Sequence, residues 1–388
     1  MSARTTTILT ILTIAFTGFA AALILVGTPA AILLLALTTL ALAGWLWTGD
    51  TKAPTGLMAP YLTVPPLFLA MGSAQFAGGW VTHLQADYAA WFDPDFAFTG
   101  ANWFVLLVCI PASLVLFGGY LLARNQPAGF FMAWWTALFA VASGVIQIAG
   151  AGLWQAQPLA LLASGFGLAL IFAGLAIVQR LLRPRAASVP VPAPFSTQRR
   201  LLWAVLFAAA MVVYGATLFT QAGPLPVIIV VGSMVGGMLG WLLTTSRRPV
   251  DPTWAVPLLL LLLTLFYLHV GEETLTDFNG MIATITGKPW ADDDFLLLIG
   301  LLGPIVWVFA AWSLWHRQAL GNFIFWFLIV GMILGEPTHL LIFPIRLMAI
   351  NGGGYEYASG MYSALFPMIP AIVALLRILS DHRAARLA

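Results

Sequence analysis

The stretch of sequence that decides the fold covers residues 254–275 and reads WAVPLLLLLLTLFYLHVGEETL. An apolar run of about 20 residues is long enough to cross a bilayer as an α-helix. This run, however, ends in His269 and in the neighbouring pair Glu272 and Glu273. Ionisable side chains are costly inside a membrane, so their presence indicates a functional site with partners close by. The stretch therefore predicts a membrane-spanning helix that carries part of a site.

Apolar runs of this kind recur about twelve times along the chain, each roughly 20 residues long. Hydrophobic residues make up 61% of the chain and charged residues 8%, and the mean hydropathy is +0.97. A soluble domain would have about 25% charged residues. The sequence therefore predicts an all-α integral membrane protein with spans near 6–25, 28–48, 60–82, 101–123, 128–152, 157–183, 200–220, 225–245, 254–275, 294–315, 320–345 and 356–379.

The distribution of basic residues predicts the orientation of these spans. Nearly all arginine and lysine residues fall at the termini or in alternate loops, which by the positive-inside rule face the cytoplasm. The exceptions are Lys288 and Arg346, while the remaining loops carry mostly aspartate. Both termini are therefore predicted to be cytoplasmic. The net charge of +2 carries no information about nucleic acid, the sequence has no basic stripe, and no nucleic-acid partner is expected.

The two halves of the chain look like tandem copies. Gly44-Trp45-Leu46 matches Gly240-Trp241-Leu242 at an offset of 196, and Ala163-Ser164-Gly165 matches Ala358-Ser359-Gly360 at 195. Further matches at an offset of 192 join Gln126, Gly129, Phe131 and Trp134 to Gln318, Gly321, Phe323 and Trp326. Copies of about six spans share one topology, so a parallel repeat is predicted.

This duplication predicts three segments. Residues 1–184 form a first six-helix repeat, residues 185–199 a proline-rich cytoplasmic linker, and residues 200–388 a second six-helix repeat. At the offsets above, Gly144 and Gln147 occupy the places of Glu336 and His339. The first copy thus lacks the ionisable residues, which indicates that the fold does not require them.

The second part of the predicted site is Glu336 with His339. Residues three or four positions apart lie on one face of a helix, so each of the two spans can present a carboxylate and an imidazole together. His269 and Glu336 each follow about 15 residues after the start of their outward-running span, which puts both near the outer leaflet at 1.5 Å per residue. Pro337 is expected to kink the second span. We therefore expect the side chains of His269, Glu272 or Glu273, Glu336 and His339 to converge.

Two imidazoles and several carboxylates suit Zn or Fe. The sequence predicts His269, Glu272, Glu336 and His339 as metal ligands and Glu273 as the catalytic acid or base. A carboxylic acid buried in this way can exchange protons during catalysis. An outer shell or substrate mouth is predicted from the residues that follow the two spans: Asp277, Arg346, Tyr355 and Tyr357.

The second half resembles the family of bacterial multi-pass membrane proteins named for its H-x-x-E-E motif. The matching residues are His269-Val270-Gly271-Glu272-Glu273, the later His339 and the turn Tyr357-Ala358-Ser359-Gly360. The family's usual turn has proline at the position of Ser359. The resemblance covers roughly residues 254–380, about a third of the chain, and implies a shared polar site in a bacterial cytoplasmic (plasma) membrane without naming a reaction.

These observations favour a metal-dependent enzyme in the membrane that acts on a lipid-like or small apolar substrate. Zinc would favour a hydrolase and iron an oxidoreductase. A metal-free isomerase or cyclase of isoprenoids is an alternative. Another is a proton- or cation-coupled transporter of six-plus-six helix architecture, although a transport site belongs between the repeats. A non-catalytic accessory or sensor subunit is also compatible with the pattern.

Overall fold

The computed structural model describes residues 3–25, 28–50, 55–80, 102–151, 158–184 and 195–387, and these ranges consist mainly of helices joined by turns, without any strand. The helices are α1 Ala3–Leu25, α2 Thr28–Thr48, α3 Thr55–Tyr61, α4 Val64–Ala77, α5 Asn102–Ala123, α6 Pro127–Ala151, α7 Pro158–Leu182, α8 Thr197–Ala222, α9 Pro224–Thr245, α10 Pro252–Leu275, α11 Phe278–Thr286, α12 Asp292–Trp315, α13 Ala319–Leu334, α14 Pro337–Leu340, α15 Ile342–Asn351 and α16 Leu365–Leu387.

Eleven helical segments among the described residues are long and apolar enough to cross a membrane. The prediction of an all-α multi-pass membrane protein is thereby confirmed. The apolar part of α1, Thr5–Ala20, is shorter than the other spans. Residues 185–194 of the predicted linker lie outside the described residues.

Two of the differences between the predicted spans and the structure concern the site. The span predicted at 320–345 is broken into α13, α14 and α15, because Pro337 has no N–H with which to continue the first of these helices. The last span begins at Leu365 rather than near residue 356. The residues before Leu365 instead form turns, and these turns contact the site.

The chain forms two compact units. One contains Met1–Gly100 with Phe117–Ser188, and the other contains Ala101–Leu116 with Val189–Ala388. Within the second unit α10 packs against α12, α16 and the start of α5, while α13 packs against α9, α12 and α16. The two polar stretches of the sequence therefore lie on helices in the core of one unit.

Each unit has an aromatic contact at the positions that the predicted duplication pairs. The ring centroids of Trp45 and Phe131 are 6.4 Å apart in the first unit. Those of Trp241 and Phe323 are 6.5 Å apart in the second, in a similar edge-on arrangement. A tandem duplication would produce such matched contacts, and the duplication itself stays a prediction.

Candidate functional site

The site lies where the C-terminal part of α10 meets the break between α13 and α14. One turn of α10 separates His269 from Glu273, so both side chains project from the same face. Glu336 lies between the end of α13 and the start of α14, and His339 lies within α14. The exposed fraction is 2% for His269, 6% for Glu273, 7% for Glu336 and 5% for His339. All four ionisable side chains are therefore withdrawn from water and depend on one another.

The distances within this cluster are short. His269 Nε2 lies 2.8 Å from Glu336 Oε2 and 3.6 Å from Glu273 Oε1. His339 Nε2 lies 3.4 Å from Glu273 Oε1 and 4.0 Å from Glu336 Oε2. Two nitrogens from imidazoles thus face two carboxylate oxygens around one centre. The predicted convergence of the two helices is borne out.

Three of these residues offer ligand atoms that lie close enough together for a possible metal site. Ligand atoms of His269, Glu273 and His339 all lie within 4.8 Å of one another. Zinc bonds of about 2.0–2.1 Å at tetrahedral angles require neighbouring ligand atoms about 3.3–3.4 Å apart. The two nitrogen-to-oxygen separations at Glu273, 3.6 and 3.4 Å, agree with that requirement. This cluster could hold a metal ion.

Glu336 completes the cluster in a different way. Its Oε2 atom is buried and has no aligned hydrogen-bond donor, although His269 Nε2 lies only 2.8 Å away. A buried acceptor without an aligned donor is unfavourable by about 1–3 kcal/mol. The carboxylate is therefore a group that a cation or a substrate proton would stabilise.

The outer nitrogens of both imidazoles are held by hydrogen bonds. His339 Nδ1 lies 2.6 Å from the carbonyl oxygen of Ser359, which can only accept, so the proton is on Nδ1. His269 Nδ1 lies 3.0 Å from Ser363 Oγ. In metal sites the nitrogen that does not bind the ion usually donates a hydrogen bond in this manner. Both Nε2 atoms consequently face the centre of the cluster.

Glu272, which the sequence predicted as a ligand, is not brought into the cluster. Its carboxylate accepts four hydrogen bonds, from the Tyr357 hydroxyl at 2.6 Å, the Tyr362 N–H at 3.0 Å, the Ser363 N–H at 2.7 Å and the Ser363 hydroxyl. A carboxylate has about four lone-pair positions, so none remains for a metal. Glu273, predicted as the acid or base, takes the place between the two histidines.

The four residues predicted as an outer shell have separate roles. Asp277 caps α11 by accepting from the Gly280 N–H, Arg346 is exposed, and the Tyr355 hydroxyl donates to the Leu340 carbonyl. Tyr357 alone approaches the site, through Glu272. Burial and the hydrogen bond to the Glu272 carboxylate raise the pKa of the Tyr357 phenol above its ordinary value, so this hydroxyl stays a donor.

The turns that precede α16 supply residues that the sequence analysis did not assign to the site. Ser359 and Ser363 hold the two imidazoles, and Gly360 lies between them with a φ of +80°. Neutral serines in an apolar chain give no charge signal. The available clues were the turn Tyr357-Ala358-Ser359-Gly360, which the resemblance already included, and the spacing Ser359-x-x-x-Ser363.

An apolar cavity adjoins the cluster. It has an empty volume of ≈ 830 Å³, open mouth included, and it is lined by all four ionisable residues of the cluster. The remaining lining is largely aromatic and aliphatic, with Phe266, Phe278, Trp290, Trp307, Phe327 and Phe343 among its members. Concave, mostly apolar pockets with a few convergent polar groups are typical of small-molecule sites. Every residue that lines this cavity belongs to the second unit.

In the first unit, the residues that the predicted duplication pairs with the two histidines are neutral: Gln147 aligns with His339, and His269 aligns with Ala77 at an offset of 192 or with Gln75 at 194. Gln75 Nε2 donates to Gln147 Oε1 at 2.5 Å. An amide pair can bridge two helices without the charge that a metal site needs. Gln75 and Gln147 therefore bridge their helices through a neutral hydrogen bond.

Comparisons with known proteins leave the chain without an assigned relative. No family model matches it, and neither a curated protein nor a solved structure does so.

Proposed function

We propose that His269, Glu273 and His339 hold a zinc or iron ion, and that the protein is a membrane-embedded enzyme acting on a lipid-like or small apolar substrate. The observation that carries the proposal is the inward orientation of both Nε2 atoms around Glu273 at distances of 3.6 and 3.4 Å. Two histidines and one carboxylate are a ligand set common to catalytic zinc and to non-haem iron. An ion held there would act as a Lewis acid, and an iron ion would also offer a place for an oxidant to bind.

Glu336 is the group best placed to move a proton in this enzyme. It lines the cavity, it is buried, and its Oε2 atom lacks an aligned donor. We therefore assign to Glu336 the role of acid or base that was predicted for Glu273. Aromatic and aliphatic side chains around the cavity exclude water and accommodate an apolar substrate.

The placement of the cavity favours an enzyme over a transporter. A transport site is expected at the interface between repeats. This cavity is lined within one unit, next to the only clustered histidines among the described residues. We also propose, on the H-x-x-E-E motif and the turn at 357–360, membership of the bacterial family named for that motif, with both termini in the cytoplasm.

Metal-free acid catalysis on an isoprenoid is a second candidate. Two observations favour it: the direct 2.8 Å contact of His269 with Glu336 and the aromatic lining of the cavity. Aromatic faces attract cations, which would stabilise a positively charged hydrocarbon. In that case the imidazoles and carboxylates would exchange protons without an ion.

Elemental analysis of the purified full-length protein separates these candidates. We expect near-stoichiometric zinc or iron in the wild type and loss of most of it in His339→Ala, because a ligand is removed. Glu336→Gln should retain the ion, since its role is proton transfer. His382→Ala removes a histidine remote from the cluster and should also retain it. Wild-type protein that binds neither metal when both are supplied would reject the metal site and leave the metal-free reaction.

A further inference from the structure

We propose that Glu272 and Ser363 are positioning residues that fix the ring orientation and the protonated nitrogen of His269. This inference rests on the proposed metal site and adds the groups that orient one of its ligands, His269. The contacts that carry it are the hydroxyl of Ser363 on the Glu272 carboxylate and His269 Nδ1 at 3.0 Å from Ser363 Oγ.

The direction of these hydrogen bonds follows from the number of protons available. An ionised carboxylate only accepts, so Ser363 donates its single hydroxyl proton to Glu272. Ser363 Oγ then has only lone pairs left, and His269 Nδ1 must bring the proton to that contact. The chain from carboxylate to hydroxyl to imidazole thus leaves Nε2 as the nitrogen that can bind an ion.

One short segment, residues 359–363, orients both histidines. Ser359 fixes His339 through its carbonyl, and Ser363 fixes His269 through its hydroxyl. The segment is in turn attached to α10, because Glu272 binds the N–H groups of Tyr362 and Ser363. Ser359 Oγ adds a hydrogen bond of 3.2 Å to the Glu273 carbonyl.

The role of Glu272 explains why two adjacent glutamates follow His269. Glu273 points into the cluster, while Glu272 is partly exposed and points to the turn. Exchange of the Glu272 carboxylate for an amide leaves at least two of its four donors facing an NH₂ group. That group can also donate to Ser363 Oγ, which would free the serine proton to be donated to His269 Nδ1. The proton of His269 would then lie on Nε2, and this nitrogen could not bind an ion.

The test is a titration of the purified full chain with Co²⁺, whose visible absorption reports ligand number and geometry. We compare Ser363→Thr with Ser363→Val, because these side chains have the same shape and differ in the hydroxyl. The expected result is near wild-type binding for Ser363→Thr, and for Ser363→Val a 10–100-fold weaker affinity with an altered spectrum. Glu272→Gln should change affinity and spectrum in the same direction.

Glu356→Gln is the matched control. This glutamate lies in the same loop and contacts Asn351 at 2.9 Å, away from both histidines, so its Co²⁺ affinity should be unchanged. If Ser363→Val and Glu272→Gln bind Co²⁺ with wild-type affinity and spectrum, the positioning role is overturned while the metal site stands, even where both variants lower thermal stability. If the wild type itself binds no Co²⁺, the proposed metal site fails and the inference fails with it.

Discussion

Gly360→Ala is expected to weaken metal binding on the order of 100-fold, at the upper limit seen when groups that support ligands are lost. A Cβ at this position would lie 2.8 Å from His269 Cε1, 2.8 Å from His339 Nδ1 and 3.0 Å from Glu273 Cγ. All three proposed ligands would have to shift. The positive φ of +80° adds strain of about 1–2 kcal/mol for a residue with a side chain. Metal content and affinity of the purified variant measure the effect.

Substitutions at two nearby glycines distinguish the effect of backbone strain from that of steric crowding of the ligands. Gly352 has a φ of +69° with nothing within 4 Å of an added Cβ, and Gly354 is equally open without the positive φ. Gly352→Ala should therefore lose stability and keep its metal, and Gly354→Ala should change neither. Equal metal loss in Gly352→Ala and Gly360→Ala would show that crowding of the ligands is not the cause.

Removal of the metal by a chelator is expected to destabilise the wild-type protein by roughly 4 kcal/mol, if the free ion had been present at about 1,000 times its dissociation constant. The ion compensates the buried carboxylates of Glu273 and Glu336, which face imidazoles whose Nδ1 atoms already carry protons. Loss of a partner from a buried charged cluster typically costs about 3–5 kcal/mol. Thermal unfolding with and without chelator gives the measurement.

Glu273→Gln provides the comparison for this experiment. An amide is a weak ligand of similar shape, so the variant should hold little metal and its unfolding temperature should not respond to the chelator. A wild-type protein with the same unfolding temperature in both conditions, measured after metal loading, would contradict a stabilising ion.

Hydrophobic patterning predicted most of the helices, because a helix in lipid must be apolar over about 20 residues. The bounds of α2, α5 and α12 agree with the predicted spans within about two residues, as is usual for helix ends. Helix α11 was not predicted, because its nine residues are too few to cross a membrane. The late start of α16 was not predicted for another reason: the residues before it form turns whose backbone groups and serines hydrogen-bond to the site.

The convergence of His269, Glu336 and His339 could be predicted because equal depth in parallel helices brings side chains together. The choice between Glu272 and Glu273 could not. Adjacent helical residues differ by about 100° in direction, and either glutamate could have faced the centre. The deciding contact is with Ser363, which is 91 residues from Glu272. Such a long-range partner leaves no trace in local spacing.

The separation of the site residues along the chain has a consequence for biosynthesis. Ser363 follows His269 by 94 residues, which take about 5–20 s to synthesise at roughly 5–20 residues per second. During that interval α10 must enter the membrane with His269 and Glu273 lacking their later partners. Leucine residues favour insertion of a helix into the membrane, whereas acidic residues oppose it. The unbroken run Leu258–Leu263 therefore helps α10 to insert long before the site can form.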